Sequence, residues 1–422
     1  MSFYHNIETE RLILRQPKKK DYVFQIVVYT THKFKYLGYE RILNMKNFEL
    51  IATTTFGLEA IVKRELIELG FEIIKTENGK VTFLSDAQGI AKANIWLRCA
   101  DRVLLKIGEF KAMTFDELFD KTQSLDWSYF ITKDGKFNVN GKSVKSTLFS
   151  ISDCQAIVKK AIAENLKETY KIDWCPETGA DYTVLVSMLK DIATLTIDTS
   201  GVALHKRGYR VNAVTAPLKE TMAAALVKLS FWNKDRLLYD TFCGSGTIPI
   251  EAALIGKNIA PGITRDFAAK HWSIIPEMLW KDEISKAYKA IDVDVNIKII
   301  AVDIDNHNLR AAKENADEAG VADCITFIND DFRNIKYENN YAILISNPPY
   351  GERLSERDEV TKLYIEMGIV FNKFDTWSLY FLTSYIGFEK VFNRKADRLR
   401  KLYNGRIETK YYQFYGLRPP KK

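Results

Sequence analysis

Cysteine is scarce and dispersed in this 422-residue chain: Cys99, Cys154, Cys175, Cys243 and Cys324 form no CxxC pair. Spaced so, they read as reduced thiols rather than zinc ligands or a disulfide framework. His5, His32, His205, His271 and His307 are equally far apart, so no metal site is expected. No apolar run reaches the roughly 20 residues that a membrane-spanning helix needs. A secretory signal is missing as well, because Gln16–Lys20 interrupts the apolar stretches near the amino terminus. These absences point to a cytoplasmic protein without a metal cofactor. A uniform charge is also lacking. The formal net charge of +7 is concentrated at the ends: residues 1–48 hold nine Lys/Arg against four Asp/Glu, and residues 396–422 hold eight against two. The interior is net acidic, so only local basic clusters can argue for a polyanionic partner.

The length accommodates two or three domains. Residues 1–46 stand apart from the rest of the chain. Ile7–Arg15 resembles the opening strand of GNAT acetyltransferases, but no acetyl-CoA loop comes after it. The segment is expected to be an appendage without a part in catalysis, and Met45 is a candidate alternative start. From Phe48 the pattern becomes strand, helix, hairpin, helix, strand. Leu58–Leu69 is apolar at helical spacing and ends at Gly70, and Asn78-Gly79 marks a hairpin turn. This predicts a small α+β unit of ferredoxin-like type over 47–110. A second unit over 111–205 contains a helix at Ser152–Asn165 and strands at Lys136–Val139, Tyr182–Leu189 and Ile192–Asp198. Residues 206–422 change rhythm, with strands and helices alternating as in a parallel sheet. Pro217 is expected to open a helix. Strands are expected at Leu237–Tyr239, Lys298–Val302, Ile325–Ile328, Ala342–Ser346 and Ser378–Thr383, with Tyr411–Tyr415 closing the sheet. The fold class is therefore α/β, with an α+β module in front of a Rossmann-like sheet.

Four motifs fall at the carboxyl ends of these strands, where open α/β sheets bind ligands. Asp240-Thr241-Phe242-Cys243-Gly244-Ser245-Gly246-Thr247 is a glycine-rich turn into a helix. Gly244 and Gly246 let the backbone turn tightly and approach a ligand. The turn lacks the third glycine of a dinucleotide fingerprint and the Lys-Ser/Thr of a phosphate loop, which favours a nucleoside with an amino-acid arm over a pyrophosphate. Asp303, ending the next strand, suits ribose hydroxyls, while Asp305 suits a helix cap. Asn329-Asp330-Asp331-Phe332 ends the third strand, where a carboxylate can accept an adenine amino group or stand as a solvated loop acid. Asn347-Pro348-Pro349-Tyr350 ends an apolar strand that two prolines cannot continue. The Asn347 and Pro348 oxygens can accept both N–H bonds of an exocyclic amine, and Tyr350 can stack on its ring. Methyl transfer to a base nitrogen is the chemistry this set suits. For RNA contact the candidates are Lys206, Arg207 and Arg210, interleaved with Tyr209, together with Lys142 and Lys145.

In this order the motifs resemble those of THUMP-domain RNA guanine-N2 methyltransferases, the large-subunit ribosomal RNA enzymes among them. Phe56-Gly57-Leu58-Glu59, Asp198-Thr199-Ser200-Gly201, Leu204–Arg210 and Ala216–Thr221 carry the resemblance, together with Asp240–Thr247 and Asn347–Leu354. The resemblance implies a ferredoxin-like segment at 47–110, a THUMP domain at 111–205 that captures RNA, and a Rossmann-like class I methyltransferase domain at 206–422. It implies S-adenosyl-L-methionine as cofactor, held by Asp240, Phe242, Gly244, Gly246, Asp303 and Asp330. Asn347, Pro348, Pro349 and Tyr350 are implied as the catalytic motif. Some members carry a second methyltransferase domain; the end at Lys422 leads us to expect a single modification. Transfer RNA as substrate, adenine-N6 methylation of DNA, and a non-catalytic role in ribosome assembly remain alternatives.

Overall fold

The computed structural model describes residues 47–211, 218–337, 340–351 and 357–420. The expectations for residues 1–46 and for Pro217 fall outside that range.

Seven strands form the first sheet: β1 (Phe48–Thr53), β2 (Glu72–Glu77), β3 (Lys80–Ser85), β4 (Arg102–Lys111), β5 (Lys136–Val144), β6 (Asp181–Leu189) and β7 (Ile192–Asp198). Their order is β2-β3-β1-β4-β7-β6-β5. Helices α1 (Glu59–Glu68), α2 (Ala87–Trp96), α3 (Phe115–Gln123) and α4 (Ile151–Tyr170) accompany them. The hairpin turn forms at Asn78-Gly79, where Gly79 adopts φ +75°. In β6 the side chains of Tyr182, Val184, Val186 and Met188 alternate inward, the signature of a half-buried strand. No seam separates the segments expected at 47–110 and 111–205. The first half of β4 pairs with β1, and most of its length pairs with β7, so one strand serves both.

The second sheet contains β8 (Leu238–Asp240), β9 (Ile299–Asp303), β10 (Ile325–Asn329), β11 (Ile343–Ser346), β12 (Ser378–Thr383), β13 (Arg398–Asn404) and β14 (Ile407–Phe414). The order is β10-β9-β8-β11-β12-β14-β13, the first five strands being parallel. Helices α5 (Glu220–Leu229), α6 (Thr247–Gly256), α7 (Glu277–Lys289), α8 (Asn306–Glu318), α9 (Arg357–Phe371) and α10 (Phe388–Val391) complete the domain. Tyr364, Phe371, Phe381, Phe388, Phe392 and Phe414 belong to one aromatic core beneath α9 and α10.

Two expectations need correction. Tyr411–Tyr415 does not close the sheet: β14 lies inside it, and β13 is the edge. The run of β13, Arg-Leu-Arg-Lys-Leu-Tyr-Asn, hides its nature because an edge strand faces water and tolerates charge. Residues 257–297, assigned no elements from sequence, form α7 and the segment that docks the two halves. Trp272 stacks on Tyr182 at 4.9 Å and donates Nε1–H to the Asp181 carbonyl. Gly262 N–H donates to the Ile95 carbonyl at 2.9 Å, and the Gln88 amide donates to Glu283 at 2.7 Å. Among the described residues no helix is long and apolar enough to cross a membrane.

Candidate active site

The register of the second sheet brings the four motifs to one edge. Asn329 pairs with Asp303, Asp240 with Ala301, and Tyr239 with Leu344, so β10, β9, β8 and β11 end side by side. Side chains then tie these ends together. Gly244 N–H donates to Asp303 Oδ2 at 2.8 Å. Asn329 Nδ2 donates to the carbonyls of Asp303 and Ile304, both at 3.0 Å. Ser346 Oγ donates to Asp240 Oδ1 at 2.8 Å and accepts from Thr241 N–H at 2.9 Å.

The glycines have separate reasons. Gly244 takes φ +53°, and a Cβ there would meet nothing, so open space faces this turn. Gly246 takes φ +79° at the start of α6, where a Cβ would press on Ala312 Cβ at 3.0 Å. It serves helix packing as much as the turn. Asp303 accepts from Asp305 N–H as well as from Gly244, and Asp305 caps α8 by accepting from His307 N–H at 2.8 Å. Phe242 leans on Phe332, with ring centroids 5.3 Å apart. Asp330 is exposed and accepts from Asp331 N–H and from the Asn334 amide. Its neighbour Asp331 is engaged by Arg333, whose hydrogen bonds hold that carboxyl below its ordinary range.

Asp240 faces inward rather than toward the opening. It is 1% exposed and braces the loop through Ser346 and Phe242 N–H. Burial pushes its pKa up to about 7, and the charge of Asp303 adds to this. An unfolded aspartate titrates at about 3.9. The folded chain therefore keeps this proton to higher pH than the unfolded chain. The resulting stability is full below the unfolded value and is lost as pH rises through 7. Asp240→Asn preserves the neutral shape without the cost of ionisation. Its stability relative to the parent, read by thermal melting without ligand, should increase from pH 5 to pH 8 by about 2–3 kcal/mol. An equal difference at both pH values would refute the buried-proton account.

At the end of β11, the Tyr350 hydroxyl donates to Asn347 Oδ1. Pro348 is buried and Pro349 exposed. The Pro349 carbonyl accepts from the hydroxyl of Tyr364 at 2.6 Å, and that hydroxyl also meets Thr383 Oγ1 at 2.8 Å. Tyr364 is fully buried in α9, and burial raises its pKa, so it stays a neutral donor. Sequence reasoning missed Tyr364, Asn329 and Ser346. Only Ser346 had a signal, as a hydroxyl ending an otherwise apolar strand. Tyr364 reaches the site through tertiary packing alone.

The basic candidates separate. Lys142 lies exposed on the edge strand β5, and Lys145 just beyond it; Lys206 is also exposed. Arg207 is not available to a phosphate. Its side chain is 2% exposed, lies 3.1 Å from Glu251 and donates to the Arg98 carbonyl at 2.6 Å. Tyr209 is likewise buried, donating to Glu251 at 3.0 Å, and cannot stack on a base. Arg210 is mostly covered and engaged by Glu220, the Leu218 carbonyl and Thr247. The cluster joins the two halves of the chain: Arg207 pairs with Glu251 of α6 and bonds the Arg98 carbonyl, and Arg210 pairs with Glu220 of α5.

A five-strand parallel sheet with a reversed terminal hairpin, a glycine turn after β8, an acid after β9 and Asn-Pro-Pro-Tyr after β11 defines a Rossmann-like methyltransferase domain. Comparison with known proteins agrees. Residues 49–104 match the RlmL ferredoxin-like domain, 112–198 the THUMP domain, and 207–413 the RMKL-like methyltransferase domain. The chain belongs to the family of THUMP-containing, RMKL-like methyltransferases. It is 51% identical over 381 residues to the Bacillus subtilis (strain 168) protein named "Putative RNA methyltransferase YpsC", covering 90% of this chain and 99% of that one. It is 32% identical over 377 residues to the ribosomal RNA large subunit methyltransferase K/L of Shewanella sp. (strain W3-18-1). That match covers 87% of this chain and 52% of the relative, so the chain spans about half the relative's length. Among solved structures, one from Listeria monocytogenes str. 4b F2365, described as a "predicted N6-adenine-specific DNA methylase", aligns with TM-score 0.85 at 51% identity. It covers 91% of this chain and 99% of that one. SMU.472, solved in complex with SAH, aligns with TM-score 0.85 at 43% identity, over 89% of this chain and 100% of that one.

Proposed function

We propose that this protein methylates the exocyclic N2 of a guanine in RNA, with 23S ribosomal RNA the favoured substrate and S-adenosyl-L-methionine the methyl donor. The observation that carries the proposal is the adjacency of two tied elements at one sheet edge: Gly244 with Asp303, and Asn347 with Tyr350. The residues fit the donor. Open space faces Gly244, Asp303 keeps acceptor capacity at a strand end, and Asp330 is exposed beside them. When bound, the donor supplies an electrophilic methyl group on a sulfonium. The protein's contribution is then position and electrostatics. Guanine's amino lone pair is delocalised into the ring. Hydrogen bonds from the amine to Asn347 Oδ1 and the Pro348 carbonyl favour a pyramidal nitrogen with a localised lone pair. The amide oxygen has two lone pairs, so the Tyr350 bond leaves one for the base. Tyr350 lines the place where a flipped base enters. Methylation makes the nitrogen acidic, so water suffices to take its proton. The THUMP segment, exposed Lys142 and Lys145, and exposed Lys206 supply contacts to phosphates.

Adenine-N6 methylation of DNA uses the same amine-gripping geometry and is the description given for the Listeria structure. The THUMP and ferredoxin-like segments favour RNA, as do the names of YpsC and the K/L enzymes. Mass spectrometry of nucleosides from cells with and without the gene decides between them. Loss of one N2-methylguanosine from the large ribosomal RNA is expected. Loss of N6-methyladenine from DNA, with RNA unchanged, would overturn the proposal.

A further inference from the structure

The positive carboxyl-terminal region is not used by the site described above. Five of its basic residues, Arg398, Arg400, Lys401, Arg406 and Lys410, lie on the β13–β14 hairpin. Strand β14 pairs with β12 up to Thr383, opposite Lys410. Beyond that point Leu402–Thr409 continues as a two-stranded tip, past the carboxyl end of the sheet. The tip therefore projects from the edge that bears Asn347. Three strand spacings, about 14 Å, separate β13 from β11.

The ferredoxin-like segment meets this tip. Phe56 is 44% exposed and sits edge-on to Tyr403, with ring centroids 5.7 Å apart. Gly57, at φ +94°, packs so closely that a Cβ would lie 2.6 Å from the Lys401 carbonyl. Glu59 stiffens the loop by accepting from Gly57 N–H at 2.9 Å and Gly79 N–H at 2.8 Å. The aromatic pair is thus held by both halves of the chain. Lys401 stands over the Tyr403 ring at 5.4 Å, and Arg406 is exposed in the turn. Along the strand, Arg398 and Arg400 have no carboxylate partner among the described residues. Arg400 Nε is buried without an acceptor. Burial, then Arg398, lowers the Arg400 pKa. Basic side chains also protect a sheet edge from pairing. That role requires neither an exposed Phe56 braced on a half-buried Tyr403 nor neighbouring arginines without counter-charges.

We infer that Phe56, Tyr403, Arg406 and the β13 arginines form a second RNA-binding surface, separate from the THUMP segment, that holds single-stranded RNA beside the active-site edge. A base stacks on Phe56, and phosphates lie along Arg406, Arg400 and Arg398. Aromatic stacking combined with a basic track is how proteins bind single strands without reading sequence. The inference rests on RNA being the substrate.

The test uses the full chain and a fluorescein-labelled 20-nucleotide oligoadenylate, with anisotropy recorded across a salt series. Phe56→Ala should weaken binding at least fivefold, the lower end for one lost stacking contact. Arg406→Gln should reduce the salt slope by about 0.7, the value for one single-strand phosphate. Calorimetric affinity for S-adenosylhomocysteine should not change in either variant. Should Phe56→Ala lower the melting temperature, Arg406→Gln and Arg398→Gln, both at exposed positions, decide instead. Wild-type binding with affinity and slope unchanged in the variants overturns this surface but leaves the RNA substrate standing. Failure of the wild-type chain to bind oligoadenylate or cellular RNA overturns both.

Discussion

Asn347→Ala is expected to lower methyl transfer at least 100-fold while leaving the affinity for S-adenosylhomocysteine within about twofold. Removing one pre-positioned hydrogen-bonding group from a transition-state site typically costs about 10²–10³ in rate. The Asn347 amide oxygen is engaged by the Tyr350 hydroxyl, whereas Gly244 and Asp303 are tied to each other. The substitution therefore removes the proposed amine acceptor and the oxygen that receives the Tyr350 hydroxyl, without disturbing the glycine turn. Single-turnover methylation of unmodified RNA, with calorimetry on the same preparation, separates the two effects. Parallel loss of ligand affinity would make Asn347 a structural residue of the turn. Undiminished turnover would remove it from the mechanism.

Arg207→Met should destabilise the protein by about 3–5 kcal/mol, because it leaves Glu251 charged and buried without its partner. Glu251 is 0% exposed in α6, the helix that begins at the glycine turn. Burial raises its pKa, and Arg207 and Arg98 oppose that shift. Arg98 in turn donates to the Ile259 carbonyl at 2.6 Å, so the pair links the amino-terminal module to the methyltransferase domain. Combining Arg207→Met with Glu251→Leu should recover most of the loss, since an apolar pair leaves no buried charge. Urea unfolding monitored by circular dichroism measures both. If Arg207→Met kept full stability and lost RNA affinity, the side chain would be a phosphate contact after all.

The sequence was most legible where local chemistry is decisive. Two successive prolines end β11 whatever surrounds them, and an apolar strand before them fixes where Asn347 emerges. Gly244 and Gly246 were readable for the same reason, since both adopt positive φ. The parallel sheet was readable from its alternating elements. The docking segment at 257–297 was not, because only Trp280, Glu283 and Ala287 of α7 are buried and the rest of the segment follows the surface it covers. Strand β13 was missed because charge on an edge strand carries no apolar period.

Arg207 and Tyr209 show the converse limit. In sequence they belong to a basic run with an aromatic, which fits a nucleic-acid contact and an interdomain linker held by surface charges equally well. Only the approach of α6, with Glu251, puts them inside. Tyr364 and Ser346 make a related point: a hydroxyl becomes part of a site when packing brings it to the right carbonyl or carboxylate. By itself, then, the sequence determined the class of sheet and the strand ends at which the four motifs fall, because backbone constraints and hydrophobic period are local. The tertiary structure decided which charges are buried, which hydroxyls hold the Asn-Pro-Pro-Tyr turn, and how the ferredoxin-like loop meets the β13–β14 tip. Those outcomes depend on partners distant in the chain, whose desolvation and pairing no local pattern encodes.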